Sequence, residues 1–279
     1  MRAVLLLACP DRPGLVAAVG EFVADHGGNI VHADQHVDPV HELFVQRVEF
    51  DAPDDGAALR DAFQPVAVEF GMQWQLHEPD RRARAVILVS REGHCLADLL
   101  GRVELGELPM DVAAVISNHD LHAELVQRSG IAFRHLPVDD AHRALQEVEL
   151  GAVLDELAPD VVVLARYMRI LPAWLVERHP QRIINIHHSF LPAFAGARPY
   201  HQAYERGVKL IGATAHYVTH ELDEGPIIVQ DVTPVSHRDQ VDDLVRRGRD
   251  LERVVLANAV RLHLEHRVIT YANRTVVFD

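Results

Sequence analysis

A polar, proline-bearing segment, His77-Glu-Pro-Asp-Arg-Arg-Ala-Arg84, separates two stretches of different hydrophobic rhythm. Before it, the order is strand, helix, strand, strand, helix, strand. Ala3–Ala8 is a continuous apolar run that suits a central strand. Leu15, Val16, Val19, Phe22 and Val23 form one apolar stripe at helical spacing. Asp25-His-Gly-Gly28 ends that helix, because glycine accepts the left-handed C-terminal position. Asn29–Val37 and Leu43–Phe50 read as strands joined near Asp38-Pro39, Ala57–Phe70 as the second helix and Met72–Leu76 as the last strand. This βαββαβ order predicts a ferredoxin-like domain over residues 1–77, with 78–84 as the linker.

Beyond the linker, strands alternate with helices, which predicts an α/β domain over 85–279 with a mostly parallel, Rossmann-like sheet. The strand candidates are Ala85–Val89, Ala113–Ser117, Ala132–Leu136, Val161–Leu164, Ile183–Ile186, Ala213–Val218 and Ile227–Thr233. A long helix runs from Val241 to about His266, ahead of a terminal strand pair. Gly248 costs it about 1 kcal/mol against alanine and marks a candidate kink or break.

Charge and cysteine content narrow the function classes. A net charge of −14 with a single lysine, Lys209, leaves no basic face to displace the counterions of nucleic acid. Two cysteines, Cys9 and Cys95, cannot build a disulfide framework and fit a reducing, cytoplasmic setting. Met1-Arg2 and the apolar run to Cys9 mimic a secretion signal, but the run from Ala3 to Ala8 is shorter than the ~7–15 residues such signals need. No apolar stretch approaches a membrane span.

Four segments could carry chemistry. Asn185-Ile-His-His-Ser-Phe-Leu-Pro192 closes a strand with crowded polar groups, and functional groups collect beyond the carboxyl ends of parallel strands. An amide and an imidazole two residues apart point the same way, offering an oxyanion donor beside an acid–base group; the structural alternative is polar groups that bond the next loop. His187 and His188 are adjacent and point to opposite faces, which argues against a shared metal ion. In Thr219-His-Glu-Leu-Asp-Glu-Gly-Pro226, Asp223 either orients water or a histidine, or is a solvated loop charge. The apolar loop Ala165-Arg-Tyr-Met-Arg-Ile-Leu-Pro172 either grips a flat heterocycle through backbone groups or packs the next helix. Ser90-Arg-Glu-Gly-His-Cys95 stands where a phosphate cradle would sit, yet has one glycine and an acidic Glu92, so a phosphate site is disfavoured; Cys95 fits a buried thiol.

Together these segments resemble the folate-dependent formyltransferases. Asn185-x-His187 and Asp223 match the family's Asn–His–Asp set, and Met168-Arg-Ile-Leu171 matches its pterin-binding loop. The run His187–Ala203, Gly212-Ala-Thr-Ala-His-Tyr217, Val115-Ile-Ser-Asn118 and Gly248-Arg-Asp250 fit as well. Residues 1–77, with Asp11-Arg-Pro-Gly-Leu15 and Gly27-Gly-Asn-Ile30, resemble the amino-acid-sensing ACT domain. The resemblance implies that 10-formyltetrahydrofolate is hydrolysed to formate and tetrahydrofolate, balancing one-carbon pools and supplying formate for purine synthesis. It implies Asn185, His187 and Asp223 as catalytic residues and Met168, Arg169, Ile170, Leu171, His220 and Glu221 as substrate-binding; Arg166 or Arg198 either contacts the folate tail or is a solvated surface charge. Folate is then the substrate, with no metal or bound cofactor. An amino-acid effector, methionine or glycine, is expected at Asp11, Gly14, Leu15, Asn29 and Ile30 of a homo-oligomer. The alternatives are a formyltransferase of purine synthesis and a regulatory amino-acid-binding protein.

Overall fold

The structure, a computed structural model, describes residues 1–279 except 54, 80, 140 and 193–198. Contacts divide the chain into two units, Met1–Arg82 with Glu265–Asp279, and Ala83–Leu264. The first unit opens with β1 (Arg2–Pro10), α1 (Leu15–Asp25), β2 (Asn29–Asp38), β3 (Leu43–Asp51), α2 (Gly56–Phe70) and β4 (Gln73–His77). Its sheet has the order β2-β3-β1-β4 with every pairing antiparallel, the arrangement expected of βαββαβ. The Asp55 side chain caps α2 by accepting from the Ala57 and Ala58 amides. Leu5, Leu7, Phe50 and Phe63 are buried between the sheet and the two helices, and Leu15 belongs to the same core.

The second unit contains β5 (Ala83–Val89), α3 (His94–Glu104), β6 (Met110–Ser117), α4 (Ala123–Arg128), β7 (Ala132–His135), α5 (Arg143–Leu157) and β8 (Val161–Leu164). It continues through α6 (Ala173–Arg178), β9 (Ile183–His187), α7 (Pro199–Glu205), β10 (Leu210–Tyr217), β11 (Ile227–Pro234) and α8 (Val241–Leu264). The sheet order is β11-β10-β9-β8-β5-β6-β7. Strands β9, β8, β5, β6 and β7 are parallel, and β10 and β11 add antiparallel to that edge. Ala85–Val89 and Val161–Val163 are fully buried, as central parallel strands covered on both faces require. The order in which strands join the sheet reverses between the parallel neighbours β5 and β8, so the crevice beyond their carboxyl ends is where this architecture places ligands. No helix among the described residues is long and apolar enough to cross a membrane.

Three expectations need correction. Ala83 and Arg84 belong to β5 rather than to a linker. Helix α8 continues unbroken through Gly248, which makes room for a neighbour: a Cβ there would fall 2.0 Å from the Tyr200 hydroxyl. The terminal pair, β12 (Val268–Tyr271) and β13 (Arg274–Val277), belongs with the first unit, not the second. Ile269 and Phe278 pack against Val4, Leu6 and Val45 on the sheet face away from α1 and α2. The Arg47 guanidinium donates to the carbonyls of Glu265 and His266, and the Tyr271 hydroxyl donates to Asp38 at 2.8 Å. This second cover explains why β1 is apolar without alternation.

Phe278→Ala removes a ring that is 2% exposed and should destabilise the first unit by about 3–5 kcal/mol. A denaturant melt read from Trp74 fluorescence in a Trp174→Phe background checks this; an unshifted midpoint would show that the hairpin is dispensable.

Candidate active site

The site assembles at the carboxyl ends of β8 and β9 and in the loop between β10 and β11. Antiparallel pairing of β9 with β10 sets His216 opposite Asn185. The His216 Nδ1–H donates to the Tyr217 carbonyl at 2.9 Å, which leaves Nε2 to accept from the Asn185 amide at 3.2 Å. Burial lowers the His216 pKa and keeps the ring neutral in that role. One Asn185 N–H is thereby fixed, and among the described residues no partner takes the other. The loop after β9 is held from behind by buried Thr214, which donates to the Ser189 carbonyl at 2.9 Å and accepts from the Leu191 amide at 3.1 Å.

Asp223 reaches this centre from a loop whose path depends on one close approach. A Cβ on Gly225 would fall 1.8 Å from the Tyr217 carbonyl oxygen, so only glycine fits there. The Tyr217 amide donates to the Pro226 carbonyl at 2.9 Å and anchors the same turn. Asp223 itself has φ 57°, a left-handed conformation that aspartate tolerates better than most residues. Its Oδ2 then lies 3.2 Å from His187 Nδ1 and its Oδ1 3.8 Å from His216 Nε2. The His187 hydrogen bond outweighs burial and holds the Asp223 carboxyl below the ordinary carboxylate range. His187 is buried, and its Nε2 has no hydrogen-bond partner among the described residues. An imidazole oriented through Nδ1 by a carboxylate, with Nε2 unengaged, is arranged for proton transfer. Burial, helped by the Arg166 charge, holds neighbouring His188 down at about 3, so it is neutral near pH 7.

A cleft of ≈ 390 Å³ opens over these groups, within the usual size of a small-molecule site. Asn185, His187 and Asp223 line it together with Met168, Arg169, Ile170, Leu171, His220 and Glu221, so every catalytic and substrate-binding candidate reaches one cavity. Their exposure differs. Met168 and Ile170 are exposed, whereas Leu171 is buried and also packs the core under β8. His220 and Glu221 are exposed and stand 3.9 Å apart. Arg166 is not a solvated charge: it is largely buried in the cleft wall and lies 3.4 Å from Glu252. Arg198 lies outside the described residues. Sequence reasoning missed His216 as a positioning residue, although Thr214 and His216 stand out as alternate polar residues in an otherwise apolar strand.

The effector candidates lie in the first unit. Asp11, Gly14, Asn29 and Ile30 are exposed. Leu15 is not: its side chain is 2% exposed in the core, because it is the first apolar position of the α1 stripe.

A family model described as formyl transferase matches residues 83–260, and one described as ACT domain matches residues 3–63. A formyltetrahydrofolate deformylase of Synechocystis is 51% identical over 100% of this chain and 99% of its own. The crystal structure of a formyltetrahydrofolate deformylase from Pseudomonas syringae superposes with a TM-score of 0.98 at 50% identity, covering 100% of this chain and 95% of that one. A glycinamide ribonucleotide transformylase from Symbiobacterium toebii reaches a TM-score of 0.67 at 37% identity, covering 71% of this chain and 95% of that one.

The His187–Asp223 bond has a measurable consequence. Removing the imidazole in His187→Ala leaves burial as the dominant influence on Asp223, so its pKa should move from below 3.8 to above it. Carbon-detected NMR titration of the carboxyl in both proteins reads this directly; an unchanged midpoint would mean that the two side chains do not interact in solution.

Proposed function

The chain belongs to the formyl transferase family and hydrolyses 10-formyltetrahydrofolate to formate and tetrahydrofolate, and we propose that Asn185, His187 and Asp223 carry the reaction. The observation that supports this most is the His187–Asp223 pair at 3.2 Å in the wall of a cleft that also holds Asn185 and the Met168–Leu171 loop. The loop grips the pterin through its backbone and apolar edges, with His220 and Glu221 at the exposed rim. Water, oriented by Asp223, attacks the formamide carbon and gives its proton to His187 Nε2. The other Asn185 N–H donates to the developing oxyanion, where one such donor is worth about 10²–10³ in rate. His187 stabilises the same charge through Nε2 and protonates the departing N10, which leaves poorly as an anion. Asp223 holds the imidazolium that forms on the way. Nucleophile activation, oxyanion and leaving group are all served by these side chains, so the mechanism calls for no metal and no cofactor beyond the folate substrate.

The ACT domain is the regulatory part of the proposal. Exposed Asp11 and Gly14 at the start of α1, and Asn29 and Ile30 at the start of β2, take a small amino acid, with methionine and glycine the two to test. Strand β2 is a ten-residue edge with Ile30, Val31 and Val37 exposed, and an open edge of this kind favours pairing with a second copy in a homo-oligomer. The setting is the cytoplasm, where both free cysteines stay reduced.

Incubation with 10-formyltetrahydrofolate alone, without any acceptor, should release formate and tetrahydrofolate in equal amounts. Folded protein that gives no formate would sink the hydrolase reading. Light scattering in the same preparation, with and without the two amino acids, reads the oligomer; a single-chain mass and unchanged activity throughout would remove the regulatory part.

A further inference from the structure

Arg166 sits in the cleft wall without a part in the chemistry above. It follows β8 with φ 63°, a strained backbone state for a residue with a side chain. Its guanidinium turns inward to Glu252 of α8, which is 1% exposed. The Glu252 carboxylate also takes the His94 imidazole at 2.8 Å and the Tyr200 hydroxyl at 2.6 Å. Tyr200 reaches it only because Gly248, one turn earlier on α8, lacks a Cβ. Apolar side chains of equal volume stabilise a buried site as well as such a network does, so stability does not account for it.

Its position does. The network lies behind the crevice where the sheet order reverses between β5 and β8, the place at which open α/β sheets admit ligands. Here the loops after those two strands are joined to each other. The Ser90 amide donates to the Arg166 carbonyl at 3.3 Å. Ser90 Oγ accepts from the Met168 amide at 3.0 Å and donates to Asn118 at 2.8 Å. The Ser90 and Met168 amides are therefore already bonded. Glu92, in the loop after β5, pairs with Arg249 of α8 at 2.5 Å and ties that loop to the helix.

We infer that the Arg166–Glu252–Tyr200–His94 cluster fills the crevice that a phosphorylated amine acceptor would enter, and so makes water the nucleophile. The inference rests on the hydrolase reading and names what enforces it. His94, Cys95 and Glu252 also bring three ligand-type atoms within 4.8 Å of one another. The set is not a cation site, because Arg166 already compensates the carboxylate and burial pushes the Cys95 thiol up, keeping it protonated. With the cluster opened, an amine nitrogen would form the new C–N bond in place of the water oxygen. The bond from the formyl carbon to N10 breaks as before, and the amine's proton passes to N10.

The test uses the full chain, 10-formyltetrahydrofolate labelled with ¹³C in the formyl group, and glycinamide as the amine probe. NMR reads the ratio of formylated amine to formate, which is independent of total rate. Two variants open the crevice: Arg166→Gly with Glu252→Gln, which removes both buried charges together, and Glu92→Ala with Arg249→Ala, whose partners are partly exposed and whose loss spares the core. Wild-type protein should give formate almost alone, and at least one variant should raise the ratio about tenfold or more, the scale on which pocket shape discriminates substrates. A ratio equal to wild type in every variant that folds overturns the inference, as does a folded Arg166→Gly variant that makes neither product, since Arg166 would then be catalytic. Wild-type protein that releases no formate would fail the hydrolase reading instead, a result separate from either of these.

Discussion

Gly225 lies so close to the Tyr217 carbonyl that no side chain could stand between them, and the position of Asp223 follows from that approach. The loop from β10 to β11 must turn back tightly over the end of β10, and the turn leaves Asp223 in a left-handed conformation aimed at His187. Pairing of β9 with β10 supplies the other half, since it sets His216 beside Asn185 and fixes the amide. Neither catalytic side chain is positioned by its own segment alone. Each is held by a backbone contact or a neutral imidazole that takes no part in bond making, which is how a site keeps donors aimed before substrate arrives.

Much of this site was legible because the chemistry is local in sequence even where the geometry is not. Asn185-x-His187 closes an apolar strand, and period-two spacing alone says that both side chains face one way. Asp223 was legible as a carboxylate beside Gly-Pro, though nothing in its own loop says which histidine it meets; that contact belongs to strand pairing across the sheet. His216 escaped notice for the same reason. It reads as one more residue of an apolar strand until the register with β9 is known. The burial of Arg166 is not legible either, because Glu252 lies on a distant helix and sequence spacing carries no information about such a pair.

The two-unit organisation and both sheet types were legible from rhythm, since alternating and continuous apolar runs reflect one or two covered faces. What went wrong was the tail. The end of the chain follows a helix of the second unit and offers short strands with no periodic signature, so its return to the first sheet was hidden. The continuous run Ala3–Ala8 did carry the missing signal, because an antiparallel strand apolar on both faces needs two covers. Gly248 and Leu15 show what neighbours add to a local reading: the glycine admits the Tyr200 ring, and the Leu15 side chain completes the core beneath α1.

The account turns on His187 and Asp223 acting as one unit, and a double-mutant cycle on hydrolysis tests that most directly. Asp223→Asn alone should lower kcat by at least about 10², in the general acid–base range, while the folate KM moves little because the Met168–Leu171 loop holds the pterin. Adding His187→Ala should cost far less than the product of the two single losses, since residues that work together are non-additive. Multiplicative losses, or an Asp223→Asn enzyme that keeps more than about half of the wild-type kcat, would contradict the pairing and move the search for the active carboxylate to Glu221.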